Sequence, residues 1–198
     1  MTVVERSGAH ALCCARGEST RGHYACRDAL LNFVHIADAS ATTEEPDLIP
    51  SRPALRPADI FTSAALPGGR AALDVGVCCP DAQGAGDDCC AAMEEAKRAR
   101  YGPFLHELAA QGIRYVPFVA SCYGRLHPEA DLAMERIGRQ AARRLGVRDP
   151  QPLVRRPRAA LGVAIRRRAA AMVTACIPPL DDEALQILFG EAGAAGSE

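Results

Sequence analysis

Two aspartates and a lysine stand out for the chemistry they could do together. Asp59 lies in "RPADI" and Asp74 in "LDVGV", with fourteen residues between them, and Lys97 follows in "EEAKRARY". Carboxylates hold hard divalent ions, and such an ion polarises a phosphoryl oxygen and lowers the pKa of a bound water. Two converging acids would therefore suit phosphodiester hydrolysis. An acid flanked by Leu73 and Val75 in a strand is costly unless a metal or a base neutralises it, and Lys97 is a candidate base. It is the only lysine among 23 basic residues. A compact ammonium that must reach a half-buried site is poorly replaced by the larger, permanently charged guanidinium. Ordinary roles compete: Asp74 could pair with an arginine such as Arg114, Lys97 could snorkel to water, and Tyr101 could be a core aromatic.

The elements that must position these residues follow from periodicity. Residues 23–39 carry Ala29, Leu30, Phe33, Val34 and Ala37 at helical spacing. The proline-broken stretch after them, residues 40–57, reads as loop, with room for a short strand over 47–49. Residues 59–79 read as a hairpin. Its first strand is near 59–62, its turn is "PGG", and its second strand, 71–79, places Leu73, Val75 and Val77 on one face and Asp74 on the other. A helix from about residue 88 carries Met93, Lys97, Tyr101, Phe104 or Leu105, and Leu108 on its apolar stripe. Residues 112–122 form a further strand, in which Pro117 implies an edge or a bulge. Pro128 and Gly146 bracket a helix, and 155–176 form another. This order predicts an α/β (α+β) fold, a mixed sheet with helices on its faces and extra C-terminal helices.

At 198 residues and 48% apolar, with net charge −1, the chain has the composition of one globular domain. No apolar run approaches the ~20 residues of a membrane span, and no secretory leader is visible at the N-terminus, so an intracellular location is expected. Nine cysteines include the adjacent pairs Cys13-Cys14, Cys78-Cys79 and Cys89-Cys90. Without a CxxC…CxxC frame they read as reduced, small buried hydrophobes. His23, His35, His106 and His127 show no ligand spacing. Between Arg136 and Arg168 stand eleven arginines and one acid, Asp149. Such a stretch is either a solvated helix face or a surface that meets phosphate.

In order and spacing, "RPADI", "LDVGV", "KRARY" and "GIRYVPFV" resemble the restriction-like endonuclease domain at the C-terminus of site-specific non-LTR retrotransposon proteins, a branch of the PD-(D/E)xK nucleases. The resemblance implies a restriction-endonuclease-like mixed four-stranded sheet, with Asp59 and Asp74 holding Mg or Mn and Glu45 as an additional metal-binding acid. It implies a catalytic lysine moved from the strand, where Val77 stands, to the following helix at Lys97, with Tyr101 beside it in the site. "RGHY" is similar to the Arg-His-Asn segment of these elements, with Gly22 and Tyr24 as its departures. "GAHALCC" resembles the second half of a CCHC zinc knuckle, with His10 and Cys14 as ligands; two ligands alone cannot close a tetrahedral zinc site.

The resemblance further implies DNA as partner, together with the element's RNA and the reverse transcriptase that would precede this chain, and action in the nucleus. The domain organisation expected is a knuckle remnant at 1–22, a nuclease core at 23–146, a basic linker and helix at 147–180, and a short helix and tail at 181–198. Candidate nucleic-acid contacts are Arg56, Arg139, Arg143, Arg144, Arg155 and Arg156. The expected function is a metal-dependent DNA nicking endonuclease. The rivals are a non-catalytic nucleic-acid-binding remnant and a domain that keeps only the fold for interaction.

Overall fold

A computed structural model describes residues 18–82 and 86–175. The elements, in chain order, are α1 (Glu18–Ala37), β1 (Thr42–Thr43), β2 (Ile60–Leu66), β3 (Gly69–Cys78), α2 (Cys89–Tyr101), a 3-10 turn (Gly102–Phe104), α3 (Leu105–Ala110), β4 (Arg114–Ser121), α4 (Pro128–Leu145) and α5 (Gln151–Ala175). The strands form one sheet in the order β1-β2-β3-β4. β1 with β2 and β2 with β3 are antiparallel, and β3 with β4 is parallel. The protein is thus mixed α/β, a four-stranded mixed sheet flanked by helices, consistent with a restriction-endonuclease-like layout.

The period of two along β3 divides its side chains between two cores. Leu73 and Val75 enter the larger one with Ile60 of β2, Val116 and Phe118 of β4, and residues from α1, α4 and α5. Ala72 turns to the other face and joins Phe61, Tyr115, Tyr101 and Leu108 beneath α2 and α3. Helix α1 presents Cys26, Leu30, Phe33, Val34 and Ala37 to the larger core at helical spacing. It starts at Glu18, inside the 1–22 stretch expected to be a knuckle remnant. His10 and Cys14 lie outside the described residues.

Several boundaries differ from the sequence reading, each for a local reason. Residues 47–49 form no strand; the two-residue β1 sits earlier, at Thr42–Thr43. Asp47 takes a left-handed backbone with φ 58°, which breaks extended structure, while Leu48 and Ile49 are buried as anchors of the smaller core. The continuous stripe expected from Met93 to Leu108 is interrupted by the 3-10 turn, where Pro103 removes a backbone donor. Pro117 is tolerated because β4 is the sheet edge.

Residues 147–150 connect α4 to α5, which starts at Gln151 rather than at 155 and packs against the body of the fold. Helix α5 contributes Leu161 and Ile165 to the larger core. It also lies so close to α4 that a Cβ on Gly138 would meet Val154 Cγ2 at 2.3 Å. Helix α4 has the boundaries its sequence signals, with Pro128 in the first turn and Gly146 left-handed at φ 67° as its cap.

Asp38, just beyond α1, ties that helix to β2. Its Oδ2 accepts hydrogen bonds from Thr62 Oγ1 at 2.6 Å, Ser63 N at 2.7 Å and Ala64 N at 3.0 Å, and Oδ1 accepts from Ser40 N and Oγ. Burial opposes its ionisation, but these donors outweigh burial and hold the carboxyl well below the ordinary carboxylate range. Among the described residues no helix is long and apolar enough to cross a membrane.

Candidate active site

Asp74 is the buried centre of the site. It lies on the face of β3 that looks toward α2, and both its oxygens are engaged. Lys97 Nζ donates to Oδ1 at 2.5 Å and Tyr115 OH donates to Oδ2 at 2.6 Å. Lys97 reaches it because β3 carries no side chain two residues further on. A Cβ on Gly76 would stand 2.6 Å from Lys97 Cε. The lysine's aliphatic stem therefore lies across the bare strand at Gly76 and delivers its ammonium to the acid.

The strand position for the lysine needs correcting. Val77 faces the larger core and could not present an ammonium to Asp74. Counting D-x-K from Asp74 lands on Gly76, the same-face neighbour. The relocated lysine thus passes over the position that a strand lysine would occupy.

Asp59 ends the loop before β2. The pairing of Ile60 with Leu73 brings Asp59 level with Asp74 on the neighbouring strand. Its backbone N–H donates to Leu73 O at 2.9 Å, and its Oδ2 accepts from Val75 N at 2.7 Å. Oδ1 meets His23 Nε2 of α1 at 3.0 Å. Sequence reasoning gave His23 no role. Its only signal was the place of His23 as the histidine of the Arg-His-Asn-like segment.

The two acids share one electrostatic site and are pushed apart by it. Burial raises Asp74, and the negative charge of Asp59 adds to that; Lys97 and Tyr115 oppose the shift without cancelling it. Asp59 is buried too, but the hydrogen bond and charge of His23, the Val75 N–H and the charge of Lys97 bring it below the ordinary value. Two carboxyls with pKa values driven in opposite directions are a common basis for a division of labour.

The other expected members are distributed around this pair. Glu45 does not join it; its Oε2 accepts from Thr42 Oγ1 at 2.8 Å. Its neighbour Glu44 stands closer to the strand, donating its backbone N–H to Asp59 O and pairing with Arg27 at 2.7 Å. No trio drawn from His23, Glu45, Asp59 and Asp74 brings its ligand atoms mutually within 4.8 Å. Tyr101 is buried, stacks obliquely on Tyr115 with ring centroids 5.2 Å apart, and donates its OH to Arg56 O at 2.9 Å. It fixes the loop that carries Asp59 and does not itself meet an acid.

Arg56 is exposed at that rim and donates to Glu44 O. Arg139 and Arg143 on α4, and Arg155 and Arg156 on α5, are exposed. Arg144 is partly committed, capping the end of α1 through His35 O at 2.9 Å and Ile36 O at 3.2 Å. Arg114, the alternative partner for Asp74, bonds Pro67 O instead. At Gly22, where the Arg-His-Asn-like segment departs from its pattern, the Arg168 side chain of α5 fills the space, 2.2 Å from where a Cβ would stand.

No family model, curated protein or solved structure matches this chain. The residues themselves therefore carry the functional argument.

Proposed function

We propose that this chain is a metal-dependent DNA endonuclease module that nicks a strand of duplex DNA, as its resemblance to the restriction-like domain of non-LTR retrotransposon proteins implies. The observation that supports it most is the convergence of Asp59, Asp74 and Lys97 from three separate stretches of sequence, with Gly76 left bare for the lysine to cross. In this reading the chain works in the nucleus on a DNA target, alongside the element's RNA and a reverse transcriptase.

The donor set fits Mg or Mn. Both acids offer hard oxygens, each oxygen makes one hydrogen bond, and a carboxylate oxygen has a second lone pair. Magnesium is commonly held by one or two carboxylates and completes its shell with water and phosphate oxygens. When bound, the ion would polarise the scissile phosphoryl group and acidify a water. His23 and the Val75 N–H orient Asp59, while Tyr115 orients Asp74. Lys97 supplies a fixed positive charge beside the acids, where charge builds on phosphate during the reaction. The exposed arginines of α4 and α5, with Arg56 at the rim, would hold the DNA backbone.

The deciding assay is nicking of supercoiled plasmid in Mg or Mn by the wild type, Asp74→Ala and Lys97→Ala. Each substitution is expected to lower the rate by at least ~10²–10³-fold, the scale seen when one preorganised charge-stabilising group is lost. Equal cleavage by all three proteins would remove the assigned roles. A second reading, a DNA-binding remnant without cleavage, draws on the pairing of both acids with basic side chains of the chain itself and on the position of Glu45 outside the site. Salt-dependent DNA binding with no nicking in any metal would select it.

A further inference from the structure

The cysteines that sequence reasoning took as small hydrophobes gather in one corner. Cys78 ends β3, and Cys89 and Cys90 open α2. Their Sγ atoms all lie within 4.8 Å of one another, and Cys78 Sγ is 3.3 Å from Cys89 Sγ and 3.6 Å from Cys90 Sγ. All three are free thiols and all are buried, packed by Val119 and Met93. Thiolates bound to one ion at ~2.3 Å are separated by roughly 3.8–4.0 Å, so the trio already has nearly the span such an ion requires.

The surroundings could offset the charge of metal-bound sulfur. Cys89 and Cys90 occupy the first two positions of a 13-residue helix, the positive end of its dipole, behind the N-cap Asp88. Asp88 fixes the Arg125 guanidinium through a hydrogen bond of 3.0 Å, and the positive charge of Arg125 acts on Cys90. Three thiolates around a monovalent or divalent ion leave net negative charge, and a guanidinium held in place would offset it. In the absence of an ion, burial raises Cys78 and Cys90, so both are neutral thiols that a metal must deprotonate.

We propose that Cys78, Cys89 and Cys90 form a three-thiolate site for a soft d10 metal ion that pins the end of β3 to the start of α2. Soft sulfur donors select Cu(I) and Zn(II) over the hard ions suited to the aspartates. Among the described residues no fourth His, Cys, Asp or Glu atom joins the group. Cu(I) could therefore bind with these three ligands alone, whereas Zn(II) would add one ligand from outside the trio. The site does not depend on the nuclease reading, because it shares no ligand with Asp59 or Asp74.

The test uses the full reduced chain under anaerobic conditions, titrated with Cu(I) or Zn(II) in competition with a chromophoric chelator for each. One equivalent should bind to the wild type and to the control Cys26→Ser, whose thiol lies in the larger core. Cys78→Ser, Cys89→Ser and Cys90→Ser should each lose more affinity than the ~10–100-fold that a missing outer-sphere contact costs, and the triple variant should lose the site. Metal-edge X-ray absorption on the wild type needs no variant to fold. Three sulfurs around Cu(I), or three sulfurs and one lighter ligand around Zn(II), support the proposal and tell the ions apart. Failure to retain either ion, fewer than three sulfurs, or unchanged binding by the triple variant overturns it.

Discussion

The carboxylate site and the cysteine corner are built on the same two elements, β3 and α2, yet they satisfy their polar groups in opposite ways. At Asp74 and Lys97 a hard acid and a hard base neutralise each other across the sheet-helix gap, and Tyr115 takes the remaining oxygen. Four residues further along β3 and two turns back on α2, Cys78, Cys89 and Cys90 meet one another, the Ala120 and Arg125 carbonyls and the helix end, with the Arg125 guanidinium beside them. The first region is complete as a charge pair and would take an ion through the second lone pairs of its carboxylate oxygens. The second is complete only as a set of weak thiol contacts, and an ion would add to it. One strand-helix seam thus holds donors of two classes, separated by chemistry as well as by distance.

The strongest blow to this contrast is Lys97→Met. It leaves Asp74 buried without its cation, and urea unfolding should show a loss of ~3–5 kcal/mol. The double change Asp74→Leu with Lys97→Met should recover most of that loss, since Tyr115 OH can turn to Lys97 O at 3.4 Å. A double variant as unstable as the single one would show that the pair is not what the seam depends on.

A smaller effect is expected from Asp38→Ala, which leaves Thr62 and Ser63 short of their acceptor outside the seam. A loss of ~1–3 kcal/mol in thermal or urea unfolding is expected, with the Lys97–Asp74 contact intact. Cys78→Ala, measured with chelator present, should cost only about 1 kcal/mol, the size of a typical buried change without a charge defect. A cost matching that of Lys97→Met would mean that the thiols already carry a structural load without metal.

The pH dependence distinguishes the two acids. Asp59 is lower in the fold than in the unfolded chain, so its contribution is present at neutral pH and fades as pH falls below the ordinary ~3.9 toward its folded value. Asp74 is raised, so the sign reverses. Its contribution is present at low pH and is lost as pH rises from ~3.9 through its folded value. Unfolding free energies across this range should decline less with rising pH in Asp74→Asn than in the wild type, while His23→Ala should weaken the protein by about 1 kcal/mol at neutral pH. An unaltered slope in Asp74→Asn would contradict the upward shift.

Much of the fold was legible because it rests on local signals. The alternation through Leu73, Asp74 and Val75, the proline and glycine around α4, and the apolar stripe of α1 each marked an element. Where long-range packing decided, the reading failed. Leu48 and Ile49 looked like a strand but became loop anchors, and the arginine-rich 151–175 helix hid four core residues, Val154, Leu161, Ile165 and Met172, among its charges. Arg144, read as a DNA contact, partly caps α1, a partnership 108 residues apart in sequence that no local pattern could show.

The sequence by itself determined the donors: two acids a hairpin apart, a solitary lysine on an apolar stripe, and paired cysteines at the ends of the same elements. Residue type and short-range period fix which face a side chain takes, and that was enough to put Asp74 opposite the valines and Lys97 toward the sheet. Only the tertiary structure decided which donors meet. It gave Asp59 to His23 and Asp74 to Lys97 and Tyr115, left Glu45 with Thr42, and closed three thiols into one corner. The reason is that these partnerships join residues far apart in the chain, and their distances are set by the packing of α1, α2 and the sheet rather than by any repeat in the sequence.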